Sequence, residues 1–195
     1  MAFSSAEYVI SAAGKVQWPN DDLPEVLIVG KSNVGKSSFL NTIFNNKRLA
    51  YTGKTPGKTR LLNFFRCKEL MFVDSPGYGY ANRSVSELNA YQRMMEEYLY
   101  NRHRLKLIIW LLDIRRIPNK DDLVMHKWLK NSHHPYLLVL NKADKLSNNQ
   151  KHKQLKEIEN TLNLDKDSFI LFSAQTGEGK ENLIKKVEDG LISEN

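Results

Sequence analysis

The stretch Gly30-Lys31-Ser32-Asn33-Val34-Gly35-Lys36-Ser37 sets a lysine and a hydroxyl directly after the second of its two glycines. Those residue types at that spacing make a phosphate cradle. Gly30 and Gly35 let the backbone curl around an anion, Lys36 supplies a point charge, and the Ser37 hydroxyl can ligate Mg²⁺. The apolar run Val26-Leu27-Ile28-Val29 precedes the loop and the helical-looking Ser38-Phe39-Leu40-Asn41-Thr42-Ile43-Phe44 follows it. A strand, a glycine turn and a helix N-terminus thus stand in order, with amides and helix dipole aimed at one point. A nucleoside triphosphate is the expected ligand.

Downstream, Phe72-Val73-Asp74-Ser75-Pro76-Gly77 puts a carboxylate at a strand tip and a glycine amide three residues later. Asp-x-x-Gly alone is a common turn, but at the end of a third strand Asp74 can hold Mg²⁺ through water. There the Gly77 amide can meet a γ-phosphate, so that its loop senses that phosphate. Asn141-Lys142-Ala143-Asp144 follows a later strand. The Asp144 carboxylate can accept from the N1–H and exocyclic amine of guanine, donors that adenine does not present there, and it would be left unpaired by the wrong base. Phe172-Ser173-Ala174, after the last strand, stands where a backbone amide would contact the guanine oxygen. Between the first helix and second strand, residues 47–60 are rich in Gly, Thr and cations and read as a mobile switch loop. Thr52, Thr55 and Thr59 are all candidates for the threonine that reaches Mg²⁺ and γ-phosphate; Thr59, nearest the strand, is preferred.

The elements that must position these residues alternate. Apolar or β-branched runs at 25–29, 61–67, 70–73, 107–112, 136–140 and 169–172 read as strands. Residues 36–45, 86–102, 120–131, 149–162 and 179–192 read as helices, with Ser86 a possible cap. The expectation is an α/β fold: a mostly parallel six-stranded sheet, helices on both faces, and ligands at the carboxyl ends of the strands. Only Lys68-Glu69 separates the second and third strands, so they form a hairpin and one strand runs antiparallel. Residues 1–24 read as an N-terminal extension, with Tyr8-Val9-Ile10 and Trp18 packed outside the sheet of a domain spanning 25–195.

A chain of 195 residues suits one core of this kind. Its single cysteine, Cys67, lies in an apolar run, which fits a buried strand residue and a reducing compartment. The run Leu107 to Leu112 is too short to cross a bilayer, and no basic-then-apolar leader opens the chain, so a cytoplasmic, non-membrane protein is expected. The net charge of +7 favours a polyanionic partner such as RNA over a small-molecule enzyme's surface.

Together these motifs resemble the translation-factor-related P-loop GTPases, and within them the EngB (YihA/YsxC) group of bacterial ribosome-biogenesis GTPases. The likeness rests on Ser32-Asn-Val-Gly-Lys-Ser-Ser38, Thr55-Pro-Gly-Lys-Thr59, Leu62-Asn-Phe64, Asp74-Ser-Pro-Gly-Tyr-Gly-Tyr80, Asn141-Lys-Ala-Asp144 and the Leu23-Pro-Glu25 approach to the first core strand. Lys31 stands where that family has arginine, a change that keeps the charge. The resemblance implies a Ras-like G domain binding GTP and GDP. It implies Mg²⁺ on Ser37 and Thr59, and nucleotide contacts that take in Gly57, Lys58, Arg60 and Leu61. It also implies monomeric action on large-subunit precursors and their rRNA, with effects on division and septation.

Catalysis is expected to draw on Lys36, Thr59, Gly77 and Asn33. Tyr78 follows Gly77 where many GTPases place a glutamine that orients water, so intrinsic turnover should be slow, on the order of 10⁻⁴ to 10⁻³ per second. Asn33 resembles the asparagine of potassium-activated GTPases, in which K⁺ replaces an arginine finger. Lys54, Lys58, Arg60, Tyr78, Tyr80 and Arg83 form the expected output surface toward RNA. Arg115-Arg116 either touch RNA or cover a helix, Trp110 and Trp128 read as core, and His133-His134 as an exposed loop pair. The alternative role is a cell-division interaction protein stabilised by nucleotide.

Overall fold

The computed structural model describes residues 3, 5–50, 61–79, 84–165 and 168–192. Its strands are β1 (Glu7–Ala12), β2 (Glu25–Gly30), β3 (Leu62–Cys67), β4 (Leu70–Asp74), β5 (Leu105–Asp113), β6 (Tyr136–Asn141) and β7 (Phe169–Leu171). Its helices are α1 (Lys36–Ile43), α2 (Val85–Asn101), α3 (Lys120–Asn131), α4 (Asn148–Leu162) and α5 (Lys180–Ile192). The strands form one sheet in the order β1-β3-β4-β2-β5-β6-β7. β3 pairs antiparallel with both β1 and β4, while β2, β4, β5, β6 and β7 pair in parallel. One strand thus opposes all the others, as the short β3–β4 connection requires.

The sheet has seven strands, not the expected six, because Glu7 to Ala12 joins β3 at the edge instead of packing outside the sheet. Tyr8, Val9 and Ile10 remain exposed there, whereas Trp18 is buried against Tyr98. The N-terminal segment is pinned further by Glu25. This fully buried carboxylate accepts from Arg102 Nε at 2.9 Å and from the Tyr98 hydroxyl, and Arg102 also donates to the Pro19 carbonyl at 2.9 Å.

Side chains alternate across the central strands. Leu27, Val29, Ile108 and Trp110 face α2, α3 and α4 through Met95, Leu129 and Ile158. Val26, Ile28, Ile109 and Leu111 face α1 and α5 through Phe39, Leu40, Leu183 and Val187. Cys67 and Trp110 are fully buried and Trp128 partly so.

Helix starts separate structural from ligand-facing ends. Ser84, Asn119 and Ser147 close α2, α3 and α4 with capping boxes, so Ser84 and not Ser86 caps α2, paired with Glu87. α1 instead begins at Gly35 with no side-chain cap, which leaves its first turn open toward the phosphate loop.

Candidate nucleotide site

The loop after β2 is shaped by two left-handed residues, Asn33 at φ 62° and Gly35 at φ 104°. Asparagine tolerates that region; at Gly35 a Cβ would also lie 2.7 Å from Asn141 Nδ2, so only glycine fits. Lys36 extends back along the loop, its Nζ 3.5 Å from the Gly30 carbonyl.

Asn141, the last residue of β6, and Lys142 just after it brace this loop from the side. Asn141 Nδ2 donates to the Val34 carbonyl at 3.0 Å, and Lys142 Nζ donates to the Asn33 carbonyl at 2.8 Å and to Asp113 Oδ2 at 2.9 Å. Arg115 closes on Asp113 through Nε at 2.8 Å and Nη2 at 2.7 Å. Burial pushes the Asp113 carboxyl up, but hydrogen bonds from Arg115 and Lys142 outweigh it and hold the group at about 2.

Asp74, at the tip of β4, is buried, and desolvation raises its pKa to about 6 against the opposing pull of Lys36. Its Oδ1 is a buried acceptor with no hydrogen-bond partner among the described residues. Such an atom, at the carboxyl end of β4, suits a metal-bound water, and with the Ser37 hydroxyl in the first turn of α1 the residues present fit Mg²⁺. Among the described residues, no group of three or more His, Cys, Asp or Glu is placed to hold a metal ion.

At the far end of the cleft the Asp144 carboxylate accepts from Ser173 Oγ at 2.7 Å and pairs with Lys145 at 2.9 Å. The Ser173 bond leads in holding its pKa below the usual carboxylate range, so it is ionised and oriented. In the loop after β7, the Ser173 amide donates to Glu178, and the Gln175 and Thr176 amides donate to Ser173 Oγ. The Ala174 amide takes part in none of these bonds and stands beside Asp144's partner, where a purine oxygen could accept from it.

Residues 25–142 match the family described as 50S ribosome-binding GTPase. A probable GTP-binding protein EngB of Clostridium perfringens (strain 13 / Type A) is 43% identical over 196 residues, covering 100% of both chains. That of Streptococcus sanguinis (strain SK36) is 48% identical over 177 residues, covering 90% of this chain and 91% of its own. The chain belongs to the EngB family. It binds guanine nucleotide and hydrolyses GTP. A crystal structure of a probable GTP-binding protein engB shares the fold with a TM-score of 0.72 at 20% identity, over 87% of this chain and 99% of that one. Era in complex with MgGDPNP and 16S ribosomal RNA follows at TM-score 0.64 and 25% identity, over 85% of this chain and 55% of that one.

Within this EngB chain the expected site residues divide into those that face the cleft and those that hold it. Ser75 is spent on β2, its hydroxyl and amide both donating to the Ile28 carbonyl, and Pro76 is buried beside it. The Val34 and Phe172 side chains lie in the core, Phe172 against Phe39 at 4.8 Å, so only their backbones can serve a nucleotide. The Lys31 ammonium reaches Asp121 at 3.2 Å and Asp122 at 3.9 Å. Tyr78, expected on an RNA-facing surface, is 6% exposed and hydrogen-bonded inside the protein. Arg115 serves Asp113, Arg116 is exposed, and His134 Nε2 donates to the Leu99 carbonyl at 3.0 Å. Leu61 is half-buried just before β3. Thr52, Lys54, Thr55, Gly57, Lys58, Thr59, Arg60, Tyr80 and Arg83 lie outside the described residues. Asp113 and Asp122 had no place in the sequence expectation; their one local signal is a carboxylate at a strand tip and at a helix start.

Proposed function

We propose that this EngB protein is a slow GTPase switch that acts in assembly of the large ribosomal subunit and thereby supports normal division and septation. The match of residues 25–142 to a 50S ribosome-binding family carries the reading. The net charge of +7 supports an RNA-rich partner. So does the shared fold with Era, which was solved with 16S ribosomal RNA.

In this reading Asp144 selects guanine and the Ala174 amide meets the base oxygen. The amides from Asn33 to Ser37, with Lys36, hold the phosphates. Ser37 and Thr59 would hold Mg²⁺ directly and Asp74 through water, and the ion would supply charge neutralisation at the phosphates. Asn33, exposed and left-handed at the mouth of the loop, suits a K⁺ that compensates charge as the γ-phosphate departs. Gly77 senses that phosphate. Residues 25–195 act as the GTP-binding domain with 1–24 as its extension, in a cytoplasmic monomer; none of the described helices is long and apolar enough to cross a membrane.

The reading is tested by sedimenting the purified protein with large-subunit precursors in GTP analogue or in GDP. It requires co-migration that depends on the analogue; absence from the particles in both states would refute it. Replacing Lys54 with alanine should weaken particle binding and flatten its salt dependence while sparing GTP affinity.

A further inference from the structure

The segment Gly77-Tyr78-Gly79 is threaded between the phosphate loop and the start of α3. On one side Tyr78 forms an isolated parallel bridge with Lys31: the Ser32 amide donates to the Tyr78 carbonyl at 2.9 Å and the Tyr78 amide to the Gly30 carbonyl at 3.3 Å. Gly77 lies so close that a Cβ on it would sit 2.8 Å from Ser32 Cα and 3.3 Å from Lys36 Nζ. Gly79, at φ 74°, passes under the Lys31 side chain, whose Cε would be 2.6 Å from a Cβ there. On the other side the Tyr78 hydroxyl donates to Asp122 Oδ1 at 2.8 Å and accepts from Trp110 Nε1 at 2.9 Å. Asp122 Oδ2 meanwhile accepts from the Asn119 amide at 3.0 Å and faces Lys31. Burial, and then the charge of Asp122, push the phenol far up, so it remains a donor at any working pH.

A flexible loop that must present one backbone amide to a phosphate oxygen loses affinity to the entropy of ordering; a side chain that fixes the loop beforehand removes that loss. Tyr78 has the geometry for it. Its backbone is tied to the phosphate loop, its hydroxyl to β5 and α3, and the residue it fixes sits beside the lysine that reaches the β- and γ-phosphates.

We infer that Tyr78 is a positioning residue for GTP recognition and turnover: its bond to Asp122 holds Gly77 over Lys36, ready for the γ-phosphate. The position that lacks a water-orienting glutamine thus has a different task, discriminating GTP from GDP. The inference rests on Gly77 meeting the γ-phosphate.

The test is titration of the full chain with GDP and with a non-hydrolysable GTP analogue. Tyr78→Phe fills the same space without the hydroxyl. It should weaken the analogue by about tenfold, the scale of one buried hydrogen bond, with GDP affinity within about twofold. Asp122→Ala should lower the analogue-to-GDP ratio equally, the double variant no further than either single one, and Asp122→Asn, which keeps an acceptor for the phenol, should restore most of it. An unchanged ratio, an equal loss for both nucleotides, tighter analogue binding, or losses that multiply in the double variant would overturn the inference. Gly77→Ala separates it from its premise. If that change lowers the ratio and Tyr78→Phe does not, the latch alone falls; if Gly77→Ala leaves the ratio intact, the γ-phosphate role of Gly77 falls with it.

Discussion

Lys142 donates through Nζ to the Asn33 carbonyl at 2.8 Å, across 109 positions of sequence. The lysine between Asn141 and Asp144, the residues proposed to hold the base, is therefore a strut of the loop proposed to hold the phosphates. Asp113 holds the same ammonium from the other side at 2.9 Å. Base loop and phosphate loop form one brace, and both nucleotides should feel its loss.

Lys142→Ala is accordingly expected to weaken GDP and GTP analogue alike, by roughly 10- to 100-fold for one charge-assisted hydrogen bond of ~1.5–3 kcal/mol. Titration with both nucleotides checks it. A loss confined to the analogue would place Lys142 at the γ-phosphate instead.

Asp113 makes part of the fold's stability depend on acid. Its carboxyl is held at about 2 in the folded protein, against an ordinary value near ~3.9 when unfolded. A depressed folded pKa means that the unfolded chain binds more protons between those values, so the contribution is present above about pH 4 and lost as pH falls toward 2. Urea midpoints of the wild type and Asp113→Asn should differ at pH 6 and converge as pH drops through that window.

The motifs legible in the sequence are those whose chemistry is local. Gly30 to Ser37, Asp74 and Asp144 each announce themselves within a few residues of a strand tip. The hairpin was legible because Lys68-Glu69 leaves no room for a crossover. What escaped depends on partners far along the chain. Tyr78, between two glycines, reads as surface until Trp110 and Asp122 arrive from 32 and 44 positions away. Phe172 reads as part of a base loop, but its ring, just past the end of β7, packs in the core against Phe39. The β1 segment shows no alternation of buried and exposed residues, since most of it is exposed, and only its pairing with β3 marks it as a strand. Ser84 could have been found: Ser84-x-x-Glu87 is the capping-box spacing.

Asn33 carries the potassium expectation. GTP turnover at equal ionic strength should be faster in K⁺ than in Na⁺, by at least about tenfold if the cation replaces part of an arginine finger's effect. Asn33→Gly, which keeps the left-handed backbone and removes the amide, should abolish the difference while leaving GDP affinity within about threefold, since Lys142 holds the backbone carbonyl and not the side chain. Equal rates in both salts would remove K⁺ from the mechanism.

The most direct measurement exchanges the base that Asp144 is proposed to read and follows binding to the particle. Asp144→Asn should lose affinity for GTP and gain it for xanthosine triphosphate, because the amide can donate to the xanthine oxygen where the carboxylate accepted from the guanine amine. Sedimented with large-subunit precursors, the wild type should co-migrate in the guanosine analogue alone and Asp144→Asn in the xanthosine analogue alone. Co-migration of both proteins regardless of nucleotide, or of neither, would contradict a GTP-gated role in large-subunit assembly.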